Sequence, residues 1–110
     1  MSAYKYDLHG VAASSGQTTG TVKVILSDED LAKISKGDII VTQFTTPFFT
    51  IHLLDASAII TDVGGVTSHA ATIARELGIP AVVGTKNATI LLQNQMTVLV
   101  DGSEGVVYYD

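Results

Sequence analysis

The sequence predicts a fold of the α/β class, built as one domain over residues 1–110. Three observations favour this class. A chain of 110 residues has room for a single core. Hydrophobic residues make up 46% of the chain and charged residues 15%, so there is enough apolar material to fill that core. Short β-branched runs alternate with helix-like segments through the middle of the chain, which is the pattern of α/β folds.

Short apolar runs bounded by glycine or polar residues predict six strands. β-branched residues are frequent in these runs, and the first run alternates between apolar and polar positions. The predicted strands are 21–26, 38–42, 56–61, 81–83, 96–100 and 106–109. Gly16 and Gly20 are assigned to the loop before the first strand. A glycine-containing turn over 101–105 separates the last two strands and predicts a hairpin.

Three segments carry helix signals. The first follows Ser27 as N-cap and has acidic residues in its first turn. The second follows Thr46 as N-cap with Pro47 at the first helical position, and the third stops at Gly78. The predicted helices are 28–36, 47–54 and 70–77. One face of the second helix is apolar and is expected to belong to the core: Phe48, Phe49, Ile51 and Leu54.

Charge and composition exclude several classes of function. Six Lys and Arg against eleven Asp and Glu give a formal charge of −5, which argues against nucleic acid or an anionic membrane as partner. The chain has no Cys, which excludes disulfides and thiolate chemistry. His9, His52 and His69 share no metal-site spacing, so no metal ligands are predicted. Because the sequence shows neither a signal peptide nor a membrane-spanning run, we expect a cytoplasmic protein.

The segment that joins the third predicted strand to the third predicted helix carries the clearest chemical signal. Gly64 and Gly65 let the backbone approach a ligand closely, and free N–H groups at the start of a helix favour an anion. His69 lies in the first helical turn, where the helix dipole favours the neutral, nucleophilic imidazole. The hydroxyl groups of Thr67 and Ser68 are placed to hold phosphoryl oxygens. These residue types are consistent with a phosphohistidine site.

Other interpretations of the same residues stay open on this evidence alone. Ser68 is also a common N-cap residue, and His69 is then a surface residue of the first turn. Asp62, Ser68 and His69 are the residue types of a hydrolase triad, but neighbours on a helix point about 100° apart, which disfavours a Ser–His hydrogen bond. Arg75 is expected to face solvent, from where it can contact phosphate on a partner.

The string GGVTSHAATIARELGIPAVVG, residues 64–84, closely resembles the mobile, swivelling phosphohistidine domain of phosphoenolpyruvate-utilising enzymes. That family includes phosphoenolpyruvate synthase, pyruvate phosphate dikinase, enzyme I of the sugar phosphotransferase system and rifampicin phosphotransferase. Further matching segments are 39–42, 45–47, 58–62 and 98–102, with a fainter match over 10–24. The resemblance therefore covers essentially the whole chain from Gly10.

The resemblance implies a three-layer β/β/α domain that carries a phosphoryl group on His69. It implies partner domains that bind ATP with Mg²⁺ and phosphoenolpyruvate or pyruvate, in the same chain or in trans, while this domain binds no cofactor itself. Thr67 matches a threonine that is a regulatory phosphorylation site in pyruvate phosphate dikinases. Phe48 and Phe49 depart from the family, because many relatives carry a tryptophan there.

Two hypotheses of function follow. In the first, the chain is the phosphoryl-carrier domain of a phosphotransferase, and His69 shuttles phosphate between two partner sites. In the second, the chain is a non-catalytic regulatory or docking module with the same fold. Since the sequence contains no P-loop or other nucleotide-binding motif, we expect no turnover by the isolated chain under either hypothesis.

Overall fold

Eight β-strands form one sheet in the computed structural model, which describes residues 3–110. The strands are β1 (Tyr6–His9), β2 (Val11–Ser14), β3 (Gln17–Ile25), β4 (Ile39–Thr42), β5 (Ala58–Thr61), β6 (Ala81–Val83), β7 (Thr97–Asp101) and β8 (Val106–Tyr109). Their order is β1-β8-β7-β3-β4-β5-β6-β2, so the two edge strands are consecutive in sequence. Gly10 joins these edge strands, and the sheet folds over into two layers that enclose an apolar core.

One of these layers contains the parallel strands. β3, β4, β5 and β6 are parallel neighbours, and β2 completes this layer antiparallel to β6. β1, β8, β7 and the first half of β3 form the other layer, which is antiparallel throughout. The carboxyl ends of β4, β5 and β6 therefore lie at one edge of the sheet, and the loops that follow them are neighbours.

Two apolar cores separate three layers. Successive side chains of a strand point to opposite faces, so Ile39 and Val41 enter the core between the two sheet layers, whereas Ile40 enters the core beneath the helices. Ile59 and Ile60 of β5 divide in the same way. All five side chains are fully buried, which explains why these strands are continuously apolar in sequence. The expected three-layer β/β/α arrangement is confirmed.

The helices α1 (Asp28–Leu31), α2 (Thr50–Leu53) and α3 (His69–Leu77) cover the parallel layer, and α4 (Ala88–Leu91) packs on the core between the sheet layers. Among residues 3–110, α3 is the one α-helix longer than four residues. It packs against β2, β5 and β6 through four buried residues, Ala70, Ala71, Ile73 and Ala74. Gly78 ends it with a φ of 72°, as predicted. Over residues 3–110, the helices lack the length and apolar character needed to cross a bilayer.

Several predicted boundaries are wrong. β1, β2 and α4 have no counterpart in the sequence-based prediction. The first helix ends at Leu31, because the following residues form separate i to i+3 turns instead of continuing the helix. Gly20 lies inside β3 and not in a loop; a Cβ at this position would approach the Gly37 carbonyl oxygen and the Ile39 side chain at 3.2 Å. The small residue therefore serves strand packing rather than a turn.

The apolar face predicted for the second helix is mostly exposed. The segment divides into a 3-10 turn, Pro47–Phe49, and the single turn of α2. Phe49 packs against the core beneath the helices and Leu53 is fully buried. Phe48, Ile51 and Leu54 remain exposed, at 79%, 72% and 59%. The expectation that these three residues belong to the core is wrong, because a 3-10 turn has three residues per turn and shifts which side chains point inward.

Candidate functional site

Three loops lie side by side at the carboxyl edge of the parallel strands. They follow β4, β5 and β6 and span 43–46, 62–68 and 84–87. The Val63 N–H donates to the Gln43 carbonyl oxygen at 3.0 Å, which joins the first loop to the second. The Lys86 N–H donates to the Asp62 carbonyl oxygen at 2.8 Å, which joins the second loop to the third. Ligands of sheets with parallel strands bind at this edge, so it is the natural place for a site.

His69 is the first residue of α3, and Thr45 holds its ring in place. The Thr45 hydroxyl oxygen lies 2.8 Å from His69 Nδ1. Thr45 is buried, so the ring is positioned from the protein side while His69 itself is half-buried. When Nδ1 carries the proton and donates a hydrogen bond to the Thr45 hydroxyl oxygen, Nε2 keeps its lone pair. In that tautomer, Nε2 is the ring atom with the free lone pair.

Thr45 is a candidate site residue that the sequence-based site prediction misses. It precedes Thr46 and Pro47 in a segment that matches the family, and this match was the signal available in the sequence. No pattern in the residues around Thr45 indicates that it contacts a histidine 24 positions further along the chain. Only the adjacency of β4 and β5 brings the two side chains together.

Ser68 caps α3, and Thr67 lies outside the helix. The Ser68 hydroxyl oxygen accepts a hydrogen bond from the Ala71 N–H at 3.3 Å, so the capping interpretation is confirmed. The Ser68 hydroxyl proton is still able to turn toward an incoming anion. Thr67 is exposed, and its hydroxyl is accessible from solvent. Both residues thus lie next to His69, where the prediction placed them.

Gly64 and Gly65 have different roles. Gly64 has a φ of 115°, and a Cβ there would lie 3.0 Å from the Ser68 Cβ, so the close approach of loop and N-cap requires glycine. Gly65 has no heavy atom within 4 Å of a built Cβ, and its carbonyl oxygen accepts the Ser68 N–H. The space over Gly65 is open to a ligand.

Alanine at these two positions should separate folding from ligand approach. Gly64→Ala is expected to lower the free energy of unfolding by about 1–3 kcal/mol, because the added Cβ presses against the Ser68 side chain and alanine is strained at a φ of 115°. Gly65→Ala should change it by less than about 0.5 kcal/mol. Urea unfolding of both variants measures the difference. Equal losses would contradict the assignment of Gly64 as the residue that the loop conformation requires.

Arg75 is not brought next to His69. It lies six residues further along α3, about 9 Å along the helix axis. Its Nη1 donates to the Ala13 carbonyl oxygen at 3.0 Å, which ties α3 to β2. Arg75 is exposed beyond this bond, so a contact with a partner stays a prediction.

Apolar side chains lie exposed in the loops around the histidine. Phe44 precedes Thr45 and Val66 precedes Thr67, and each is 54% exposed. Val63 in the same loop as Val66 is exposed to the same extent. Exposed apolar residues in neighbouring loops are typical of a binding surface.

Comparison with known proteins identifies relatives along nearly the whole chain. A probable phosphoenolpyruvate synthase of Archaeoglobus fulgidus is 52% identical over 101 residues, which are 92% of this chain and 13% of that protein. The phosphoenolpyruvate synthase of Aeropyrum pernix is 56% identical over 102 residues, 92% of this chain and 12% of that protein. This chain therefore spans about an eighth of the length of these curated relatives.

Solved structures share the fold. A solution structure of an Enzyme I protein superposes with a TM-score of 0.64 at 38% identity, over 73% of this chain and 33% of that one. The aconitase X of Thermococcus kodakaraensis superposes with a TM-score of 0.72 at 23% identity, over 96% of this chain and 98% of that one. At that identity the second likeness concerns the fold alone.

The β/β/α fold, with a histidine at a glycine-rich junction between a strand and a helix, is that of an α/β domain whose candidate site lies at the carboxyl edge of its parallel strands. The family model of the mobile domain of PEP-utilising enzymes matches residues 34–105. The chain belongs to this family.

Proposed function

We propose that this chain is the phosphoryl-carrier domain of a phosphotransferase and that His69 accepts the phosphoryl group. The hydrogen bond between Thr45 and His69 Nδ1 carries this proposal, because it fixes the ring through one nitrogen, and the other nitrogen keeps its lone pair when Nδ1 is protonated. Membership of the family supports the same role. The domain then shuttles phosphate between an ATP site and a phosphoenolpyruvate or pyruvate site on partner domains.

The transfer step follows from this geometry. The Nε2 lone pair forms a bond to phosphorus, while the phosphorus–oxygen bond to the donor breaks and leaves its electron pair on the departing oxygen. The ring is cationic at that moment, since Nδ1 keeps its proton, which is hydrogen-bonded to the Thr45 hydroxyl oxygen. Loss of this proton to solvent leaves a neutral phosphoimidazole. The reverse sequence passes the group to the acceptor.

The residues around His69 suit the phosphoryl oxygens. The hydroxyl groups of Thr67 and Ser68 are able to donate to them, and the open space over Gly65 admits them. N–H groups in the first turn of α3 and the positive end of its dipole offset part of the added charge. Gly64 contributes through the conformation of the loop.

Partner domains must supply the metal ion and the positive charge that phosphoryl transfer needs. Transfer of a phosphoryl group needs a metal ion and positive charge, whereas this chain has a formal charge of −5. ATP, Mg²⁺ and phosphoenolpyruvate therefore bind to the partner domains. Phe44 and Val66 contact these domains. The partners lie in the same chain or act in trans, in the cytoplasm. Thr67 is a candidate for regulatory phosphorylation, and Arg75 for a partner contact.

Mass spectrometry at alkaline pH tests the proposal. The chain is incubated with Mg²⁺-ATP or phosphoenolpyruvate in a cell extract of the source organism, or with phosphoramidate, a small reagent that phosphorylates imidazole. We expect the mass of one phosphoryl group, lost in acid, on the peptide that contains His69. Stable phosphate on Thr67 alone, or no phosphate while a control carrier is labelled, would overturn the proposal.

Thr45→Val should slow phosphorylation and change its position on the ring. Without the hydroxyl, Nδ1 is no longer held; loss of an orienting partner costs about 10- to 100-fold in function at histidines that bind a metal, and we expect an effect of that order here. The phosphorus and nitrogen NMR spectra should show phosphate on both ring nitrogens instead of Nε2 alone. Thr45→Ser retains the hydroxyl and should restore both rate and position. Normal labelling of the valine variant would contradict the positioning role.

A further inference from the structure

A cleft opens at the carboxyl ends of β3 and β4, at the same edge of the sheet as the candidate site. It has a volume of about 260 Å³. The segment after β3 forms one wall with Leu26 and Asp28, and the loop after β4 forms the other with Phe44. The cleft therefore shares the loop after β4 with the His69 site.

A buried hydrogen bond fixes the cleft, and the loop after β4 connects it to His69. The Thr42 hydroxyl donates to the Ile25 carbonyl oxygen at 2.8 Å, which ties the ends of β3 and β4 together. Phe44 lines the cleft, whereas the next residue, Thr45, is buried and its hydroxyl oxygen lies 2.8 Å from His69 Nδ1. A molecule bound in the cleft therefore touches the loop that positions the His69 ring.

The walls of the cleft expose large apolar side chains. Leu26 is 65% exposed and Phe44 is 54% exposed. Phe49, which packs on the core beneath the helices, contributes further apolar surface. The volume is below the roughly 300–1,000 Å³ of sites that enclose small-molecule ligands. It suits one apolar side chain of a protein partner, since such side chains fill pockets near the centre of protein interfaces.

The charged groups beside the cleft are acidic. Asp28 lines the cleft and Glu29 follows it in α1, and both residues are exposed. Over residues 3–110, neither carboxylate makes a hydrogen bond or an ion pair within the chain. Asp30 differs, because its carboxylate accepts the Leu26 N–H at 2.9 Å and lies 3.6 Å from Lys33 Nζ. The cleft therefore presents two carboxylates that are free to pair with cations of a partner.

We propose that this cleft is the docking site of the protein partner that binds the phosphoryl donor. The partner inserts an apolar side chain between Leu26 and Phe44. Its Lys or Arg side chains pair with Asp28 and Glu29. This inference rests on the proposed function of His69.

The charge of the cleft favours this partner over a second copy of the chain. A surface that holds ATP or phosphoenolpyruvate needs positive charge around the phosphate, and Asp28 and Glu29 are complementary to such a surface. Two copies of the chain, each with a formal charge of −5, would instead repel each other. Opposite charges also speed the encounter of two proteins, and salt weakens this effect.

Substitution in the apolar wall tests the docking site. Initial rates of His69 phosphorylation are measured in the same cell extract with Mg²⁺-ATP or phosphoenolpyruvate, at chain concentrations below saturation. We expect Leu26→Ser to lower this rate about tenfold, as for loss of an anchoring contact at a protein interface. Ile90→Ser, at a side chain of α4 that is 75% exposed, should be labelled like the wild type. Phosphoramidate needs no partner, so it should label both variants at the wild-type rate.

Removal of the two free carboxylates tests the charge of the partner. Asp28→Asn combined with Glu29→Gln should lower the rate in extract about threefold at low salt, and added NaCl should then reduce the rate less steeply than for the wild type. Glu76→Gln combined with Glu104→Gln removes two exposed acidic charges elsewhere and should keep the salt dependence of the wild type. A faster rate for the first double variant would indicate an anionic partner and overturn the proposal.

The outcomes separate this inference from the proposed function. A rate for Leu26→Ser in extract equal to that of the wild type would overturn the docking site and leave the role of His69 intact. An equal loss with phosphoramidate would also overturn it, because the defect would then lie in the His69 site itself. A wild-type chain that no donor labels, in an extract that labels a control carrier, would contradict the proposed function and this inference together.

Discussion

His69→Ala is expected to abolish donor-dependent phosphorylation of the chain, with at least about a 100-fold fall in acid-labile phosphate. The imidazole is the nucleophile of the proposed step, and alanine has no atom to replace it. Alanine also leaves the buried Thr45 hydroxyl without its partner, at a cost of about 1–3 kcal/mol. His69→Gln is therefore the better variant, since its amide is able to bond to Thr45 but is not nucleophilic. Intact mass at alkaline pH gives the phosphate content of each variant.

Two other histidines provide matched controls. His9→Ala and His52→Ala remove the same side chain outside the three loops and should be labelled like the wild type. Acid-labile phosphate on His69→Gln at the wild-type level would show that His69 is not the acceptor. Absence of phosphate from the wild type as well, with a working control carrier, would favour the regulatory or docking module of the same fold.

Gly102→Ala is expected to be the most destabilising small substitution, with a loss of about 3 kcal/mol or more from a total stability of about 5–15 kcal/mol. A Cβ on Gly102 would overlap the Ser14 carbonyl oxygen and lie 2.9 Å from the Ala81 nitrogen. Both neighbours are backbone atoms of strands β2 and β6, so no side-chain rotation relieves the overlap. The overlap is relieved only when β2 and β6 move away from the turn between β7 and β8.

Urea unfolding, followed by circular dichroism, measures this loss. Gly65→Ala is the control, because it adds the same methyl group in open space. If Gly102→Ala unfolds at the urea midpoint of the wild type, the two sheet layers do not pack as closely at this turn as the structure indicates. A fall in midpoint shared by both variants would point to a general effect of added methyl groups.

The central α/β alternation was predictable because its signals are local. β4 and β5 are apolar runs that both faces of a sheet bury, and α3 carries its own N-cap in Ser68 and its own stop in Gly78. The short edge strands β1 and β2 lack such signals, since each buries only one or two residues. Their pairing depends on distant strands, so nothing in their own residues indicated it.

The second predicted helix shows where local pattern misleads. Phe48, Ile51 and Leu54 have helical spacing, which predicts a buried face. The 3-10 turn at its start instead directs Phe49 and Leu53 inward and leaves the other three exposed. Spacing identifies residues that share a face only when the helix geometry is known, and that geometry is a property of the packed chain.

The sequence by itself determined the class of the fold, the family and the candidate nucleophile, because Gly64 to His69 is a continuous segment whose residue types act locally. The tertiary structure alone decided which residue contacts the His69 ring. Thr45 follows a different strand, and it meets His69 only because β4 and β5 lie side by side in parallel. Strand pairing is set by the burial of entire sheet faces, which no short stretch of sequence encodes.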